Sequence, residues 1–519
     1  MSMDRRQFLA TGSAALLAAR EGLAAPAPNK QRPNLLFLIC DQLRIDAMSC
    51  AGNTIISTPN IDRIAKAGVR FTDSNCTQPV CTPSRTSILT GKSACNTGAH
   101  DNAAADLTNN PGPSFDNILH DQGYHSRYHG KWHSPYGMAS TYDNKVATVA
   151  NIPGAPREHA EWMAFMDKRS PKRPQQKGEA FDIFYNRPYV PYPVDLNYGD
   201  AIDGKMPGDR GAGQDQVYGV VQVAPEATAT AYTTSDTLDA LETMKDGPFS
   251  LTCSIGPPHP PFLVIDRYAS MFPFEKMPLP VNMVATNHTP YPGRVEAAKR
   301  LHDPAYLRQF ISLYCAMVKE VDDHIGMILD KLDEIKLADN TLIVFTADHG
   351  EMLGSHGMAS KMSFYNEAVQ VPLLMRFPGR IKAGTVVNQP VSGLDLFPTI
   401  LDYMGVQAPL RDGYSLRSCI EGKGQSGTEY RVSEWNTRNV PNYMIRTADW
   451  KLMMANSPDS HAVDALYDIK HDPWETNNLL ATGNSKDAAK ADEMKQLLLT
   501  WLKHVNSPDV FGVTARHLG

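Results

Sequence analysis

Cys81-Thr82-Pro83-Ser84-Arg85 sets a thiol, a proline and a guanidinium within about one turn of chain, and the run closes at Thr90-Gly91. Proline suits the first turn of a helix, where its missing N–H costs nothing. A helix starting near Pro83 leaves Cys81 just before its N-terminus, where free amides and the helix dipole favour an anion. Arg85, one turn on, brings a permanent charge and a forked set of donors to the same spot. A nucleophile so placed suits attack on an anionic tetrahedral ester. The same local features also describe a capped helix start beside a buried cysteine, and spacing alone leaves both readings open.

Two further stretches carry acids at the ends of apolar runs. Residues 34–40 read as a buried strand and end in Asp41-Gln42; residues 341–346 read as a second and end in Ala347-Asp348-His349-Gly350-Glu351. Central strands of α/β folds place their sites at such carboxyl ends. Carboxylate and carboxamide oxygens suit calcium or magnesium, and His349 admits manganese or another transition metal. A basic group stands elsewhere in loops: Lys131 and His133 in Gly130-Lys131-Trp132-His133, His259 in Pro257-Pro258-His259-Pro260-Pro261-Phe262, and Lys361. Singly, each of these residues is an ordinary cap, loop or surface side chain.

The elements that must position them follow from periodicity. Residues 58–65 read as a capped amphipathic helix and 69–71 as a short strand; 113–122 read as a helix and 124–129 as a strand leading to Lys131. Residues 234–244 read as a helix and 249–255 as a strand. Leu307, Phe310, Ile311, Tyr314, Met317, Val318, Val321 and Ile325 lie at helical spacing within a long helix over 304–335. A strand over 371–377 and a helix over 394–404 follow. Beyond about residue 407 the pattern changes to short antiparallel strands, around 431–435, 443–446, 450–453 and 465–468, and a terminal helix over 488–504. Between about 138 and 230 the chain turns irregular. Arg169, Lys172, Arg173 and Lys177 form a basic run there, with Tyr185, Tyr189, Tyr192 and Tyr198 as aromatics; such an insertion shapes substrate access or merely elaborates the surface.

With 519 residues, 42% hydrophobic and 20% charged, the composition is that of a globular protein with room for a large core and a smaller unit. A net charge of −6 gives no reason to expect nucleic-acid binding. Eight cysteines in so long a chain do not make a disulfide scaffold. Arg5-Arg6-Gln7-Phe8-Leu9 followed by a mildly apolar run and small residues near Ala25 reads as a twin-arginine signal peptide over residues 1–27. Export to the periplasm or beyond is therefore expected, with no membrane anchor in the mature chain, since no later stretch is apolar enough to span a bilayer.

The run Cys-x-Pro-Ser-Arg-x4-Thr-Gly resembles the signature of the type I sulfatases, and the match at residues 81–91 is complete. The resemblance implies an alkaline-phosphatase-like α/β/α sandwich with a large mixed central sheet, and a small C-terminal α+β subdomain with an antiparallel sheet. It places the catalytic domain at 33–406, with 138–230 as a variable insertion, and the subdomain at 407–519. It implies that a formylglycine-generating enzyme oxidises Cys81 to formylglycine, whose hydrate attacks sulfur and forms a covalent sulfate ester. Asp41, Gln42, Asp348 and His349, with an oxygen of residue 81, are implied to hold one divalent cation, calcium foremost, with manganese or magnesium as alternatives. Gln42 and His349 depart from many members, which carry a second aspartate and often an asparagine there. By the same resemblance Arg85 holds the modified residue, Lys131 bridges it and the sulfate, His259 with Lys361 protonates the leaving alcohol, and His133 takes the proton that releases sulfate. The expected substrate is a sulfate ester of a carbohydrate or other small molecule, with Trp435 and Arg438 either contacting a sugar or only packing. Gln42, His349 and Lys361-Met362-Ser363-Phe364 are also similar to the phosphonate monoester and phosphodiester hydrolases and the choline sulfatases. A sulfated-glycan binding protein on an inactive scaffold is the non-enzymatic alternative.

Overall fold

The computed structural model describes residues 32–102, 112–134, 224–260, 262–284, 298–437, 440–456 and 464–518, with a few short pieces between 181 and 295. The twin-arginine stretch, the side chains of the insertion's basic run and tyrosines, and Arg438 lie outside the described residues.

Four adjacent parallel strands make up one side of a seven-stranded sheet. They are β1 (Asn34–Cys40) and, further along the chain, the strands Phe249–Ile255, Thr341–Ala347 and His125–Gly130. In chain order the sheet comprises β1, β2 (Val69–Phe71), β3 (His125–Gly130), β4 (Phe249–Ile255), β5 (Thr341–Ala347), β6 (Leu373–Arg376) and β7 (Thr385–Val387), and its spatial order is β7-β2-β6-β5-β1-β4-β3. Only β6 runs antiparallel to its neighbours, so the sheet is mixed, as expected. All seven residues of β1, β4 and β5 are buried, which is why they read as continuous apolar runs rather than alternating ones.

Alternation along β1 divides the core. Leu36, Leu38 and Cys40 face one layer with α1 (Pro59–Lys66) and two longer helices, Ala229–Met244 and Pro304–Glu334. Leu35, Phe37 and Ile39 face the other, built on α2 (Cys81–Thr90), α3 (Phe115–Asp121) and the helix Leu396–Met404. With α4 as Ala229–Met244, α5 as Pro304–Glu334 and α6 as Leu396–Met404, the result is the α/β/α sandwich anticipated. Two local expectations change. α4 begins five residues early, because Thr228 caps it by accepting from the Ala231 amide. α1 is capped from a distance: the Thr58 hydroxyl bonds Ser49 and Asp62, while the amides of Asn60 and Ile61 both donate to Asp322 Oδ1 of α5 at 2.9 Å.

The C-terminal strands β8 (Arg431–Thr437), β9 (Val440–Arg446), β10 (Trp450–Ala455) and β11 (Ala465–Asp468) form an antiparallel sheet in sequential order. Val432, Ile445, Leu452 and Leu466 pack against Met494, Leu498 and Leu502 of α7 (Ser485–His504). The opposite face, with Trp435, Met444, Met453 and Tyr467, joins the core beneath α5. Trp435 is buried against Tyr291 and Phe364, with ring centroids 6.0 and 6.3 Å away, so it packs and offers no face to a sugar. All eight cysteines are free.

Candidate active site

The parallel register of β5, β1, β4 and β3 brings four carboxyl ends side by side. Cys40 pairs with Ala347 on one side and Ile255 on the other, and Gly130 pairs with Ser254. Whatever follows those strands shares one edge: Asp41-Gln42, Asp348-His349, the loop to His259, and Lys131 with His133. At Gly130, φ is +89° and an added Cβ would lie 1.9 Å from the Ser254 carbonyl oxygen, so only glycine lets β3 turn sharply into Lys131.

α2 delivers the remaining two residues from the other side. It begins at Cys81 rather than near Pro83, after Val80 in extended conformation, and all ten of its residues are buried. Cys81 is thus the first helical residue, and Arg85 lies one turn further on the same face. Thr82 N donates to Asn102 Oδ1 at 3.0 Å and Ser84 Oγ to the Asp348 carbonyl at 2.6 Å, which seats the helix start on the strand ends.

Arg85 is expected to hold the modified residue 81; beside the unmodified cysteine its donors go to the strand ends. Its Nε donates to Asp348 Oδ2 at 2.7 Å, one terminal nitrogen to Asp41 Oδ2 at 3.0 Å, and the other to the Lys131 carbonyl and Ser254 Oγ, both at 2.8 Å. A buried guanidinium so satisfied by carboxylates fixes Asp41 and Asp348. Lys131 stands between Asp41 and Cys81, with Nζ 2.5 Å from Asp41 Oδ2 and 3.6 Å from Cys81 Sγ.

Ligand atoms of Asp41, Cys81, Asp348 and His349 all lie within 4.8 Å of one another, and all four residues are buried. Two carboxylates and an imidazole nitrogen suit a divalent cation. His349 Nδ1 sits 2.9 Å from the Gly350 carbonyl, which leaves Nε2 turned to the group, 3.1 Å from Cys81 Sγ. Gly350 permits this arrangement, since a Cβ there would lie 2.0 Å from the Glu367 carbonyl oxygen.

Electrostatics agree with the geometry. Burial opposes ionisation of Cys81, but Lys131, Lys361, His349 and a hydrogen bond from His133 bring the thiol well below its ordinary range. Burial and Cys81 work against the Asp41 carboxylate, and Lys131, His259 and Arg85 outweigh them, so Asp41 stays ionised. Burial disfavours charge on His349, yet Asp348 and Cys81 raise it overall. Burial lowers His133, which keeps it a base.

On the opposite flank, Lys361 Nζ lies 2.7 Å from His259 Nε2 and donates to Gln42 Oε1 at 2.7 Å. His259 Nε2 stands 3.9 Å from Asp41 Oδ1. Asp41, Gln42, Cys81, Arg85, Lys131, His133, His259, Asp348, His349 and Lys361 therefore arrive at one place, though Gln42 presents its carboxamide oxygen to Lys361. Sequence reasoning missed Ser254, Ser84, Asn102 and the part played by Glu351. Ser254 and Asn102 carried no signal; Ser84 lay inside the Cys81–Gly91 run and Glu351 in the same short run as Asp348.

The chain is similar in sequence and fold to named sulfatases. The sulfatase family model matches residues 33–406, and the model of the N-sulphoglucosamine sulphohydrolase C-terminal region matches residues 354–503. The N-acetylglucosamine-6-O-sulfatase of Bacteroides thetaiotaomicron is 27% identical over 95% of this chain and 91% of its own. A solved structure in complex with its substrate, D-glucosamine-2-N,6-O-disulfate, superposes with a TM-score of 0.70 at 26% identity, covering 92% of this chain and 99% of that one. The phosphonate monoester hydrolase of Agrobacterium radiobacter shares the fold, with a TM-score of 0.71 at 23% identity over 91% of this chain and 96% of that one. Fold and site together define a hydrolase of the alkaline-phosphatase-like α/β/α class. The chain belongs to the sulfatase family, and its activity is that of a sulfuric ester hydrolase.

Proposed function

We propose that this enzyme hydrolyses the sulfate ester of a carbohydrate, with residue 81 working as formylglycine beside one divalent cation. The observation that carries this reading is the buried meeting of Asp41, Asp348, His349 and Cys81 under Lys131, His133, His259 and Lys361. The sugar is supported by the glucosamine derivatives named for the two sulfatase relatives above.

Asp41, Asp348 and His349 would hold the cation, while the Gln42 carboxamide oxygen accepts from Lys361 beside them; the acidic oxygens favour calcium, with magnesium as a competitor, and the His349 nitrogen admits manganese. A formylglycine hydrate supplies two hydroxyls, one to attack sulfur and one whose deprotonation expels sulfate, and a bound cation supplies Lewis acidity towards the first. Arg85 locks the two carboxylates so that their oxygens converge. Lys131 neutralises charge between Asp41 and the incoming sulfate oxygens. His259 and Lys361 share a proton across 2.7 Å and deliver it to the departing alcohol oxygen. His133, bonded to residue 81, takes the proton that must leave for the product to be released.

A formylglycine-generating enzyme would act before folding closes α2 over Cys81. Export through the twin-arginine translocase to the periplasm or beyond belongs to the same reading and rests on Arg5-Arg6 and the short apolar run after it. The testing experiment measures release of sulfate from a panel of sulfated mono- and polysaccharides, choline sulfate and nitrophenyl sulfate, beside a phenyl phosphonate ester. A preference for a sulfated amino sugar is expected. A phosphonate turned over faster than every sulfate would move the assignment to the phosphonate hydrolases. Mass spectrometry of the peptide holding residue 81 should read an aldehyde, and chelation followed by return of single metals identifies the cation.

A further inference from the structure

Gln42 is an anomaly in its own site. It has a left-handed backbone, with φ of 67°, and none of its atoms is exposed. All four of its polar groups nevertheless have partners. Its amide donates to Asp348 Oδ1 at 3.0 Å, its carbonyl accepts from the Tyr314 hydroxyl at 2.9 Å, and Oε1 accepts from Lys361 at 2.7 Å. The fourth partner is Glu351, whose Oε2 accepts from Gln42 Nε2. A carboxamide can present either end, and the hydrogen-bond network decides which. Lys361, a donor only, and Glu351, an acceptor only, hold the carboxamide in the same orientation from its two ends, and without the acceptor behind Nε2 that NH2 would be buried and unpaired.

Glu351 has a second task. Its other oxygen accepts from the amides of Leu353 at 3.0 Å and Ser360 at 2.5 Å, closing the loop that carries Lys361. That loop is strained: Leu353, His356, Ser360 and Met362 all have positive φ, a conformation that costs non-glycine residues of order 1 kcal/mol or more each. Such a segment keeps its shape only where its surroundings over-determine it. Arg44 adds to the hold by donating to the Glu351 carbonyl at 3.2 Å.

We propose that Glu351 is a positioning residue of the hydrolase: one carboxylate clasps the loop that carries Lys361 and fixes the carboxamide of Gln42 with its oxygen towards that lysine. It touches no reacting atom. The inference rests on the reading of Gln42 and Lys361 as site residues.

A polarity swap tests it. Glu351→Gln keeps the shape and one acceptor for the loop amides, but sets NH2 against NH2 at Gln42. Gln42→Glu leaves the loop clasp intact and sets carboxylate against carboxylate. The double variant restores one donor facing one acceptor with the same total charge. On the sulfate ester that the panel above selects, each single variant is expected to lose about 100-fold in kcat with KM changed less than about threefold, because Lys361 serves the leaving group. The double variant is expected to recover to within about tenfold of wild type. Wild-type kcat in Glu351→Gln, or a double variant no better than the poorer single one, overturns the proposal. If Glu351→Gln fails to fold, Gln42→Glu and the double variant still decide it. Calcium titration of the four proteins with Cys81 unmodified gives a readout independent of turnover. Both singles should change the affinity and the double should return it; four equal affinities overturn the proposal. Lack of turnover by the wild-type enzyme on every sulfate ester would instead count against the functional reading.

Discussion

At the carboxyl ends of β1 and β5, Asp41 and Asp348 are shared among Arg85, Lys131, Cys81 and His349. Beneath the C-terminal sheet, Glu367 and Glu475 sit with His356, Lys451 and Asn282, equally buried and within the same reach of one another. The residue types are nearly alike, and the difference lies in how each group is neutralised. In the second, Lys451 uses all three donors, on Glu475 at 2.5 Å, the Phe364 carbonyl at 2.8 Å and Asn366 Oδ1 at 2.7 Å. His356 stacks on Tyr365 with ring centroids 3.5 Å apart and accepts from Asn282 at 2.9 Å, and burial pushes it down to about 4. There the chain supplies its own cation and keeps its histidine neutral. At the strand ends, by contrast, the acids draw charge onto His349 and the bases draw it off Cys81. One group ties the C-terminal sheet to the loop between β5 and β6 through Lys451. The other is an environment still able to accept a cation and a substrate anion.

That contrast can be broken most decisively at Cys81. Cys81→Ala should abolish turnover, by about 10⁴-fold or more, with the thermal midpoint little changed; retained wild-type activity would place the chemistry elsewhere. Lys451→Met should do the reverse. Leaving Glu475 buried and unpaired costs about 3–5 kcal/mol of stability, read by urea unfolding, while kcat per folded molecule stays within about threefold of wild type. A collapse of kcat at unchanged stability would mean that the two groups are coupled. The smallest effect concerns pH. His356 has a folded pKa below its unfolded value of 6.5, so the unfolded chain binds more protons between about 6.5 and 4. Its contribution is complete above that window and is lost as pH falls through it, on the order of 2 kcal/mol. His356→Gln should flatten stability against pH there; an unchanged slope would show that His356 does not report that tie.

Much of the site was legible because its chemistry is local. The eleven residues from Cys81 to Gly91 carry their own helix start and stop, and Asp41 and Asp348 each end an apolar run that can only be a buried strand. Elsewhere local reading misled. Pro83 suggested the helix start, yet extended Val80 sets it at Cys81. Thr58 looked like a cap, but Asp322, 262 residues away from Asn60, does that work. Trp435 was open to contacting a sugar or only packing, and its neighbours in the core decide for packing. The spacing placed Arg85 on the face of Cys81 but carried no sign that Asp41 and Asp348, from distant strands, would share its donors.

The sequence by itself therefore determined the parts: which residues carry nucleophile, acid, base and ligand chemistry, and which strands are buried on both faces. Patterns of hydrophobicity and short spacings settle these, since they depend on neighbours within a turn or a strand. Only the tertiary structure decided their partners. The parallel register of β5, β1, β4 and β3 places four chain segments at one edge, and the positive φ of Gln42 with the clasp of Glu351 aims Gln42's carboxamide. Those outcomes depend on hydrogen bonds between residues some 300 positions apart, which no local pattern encodes.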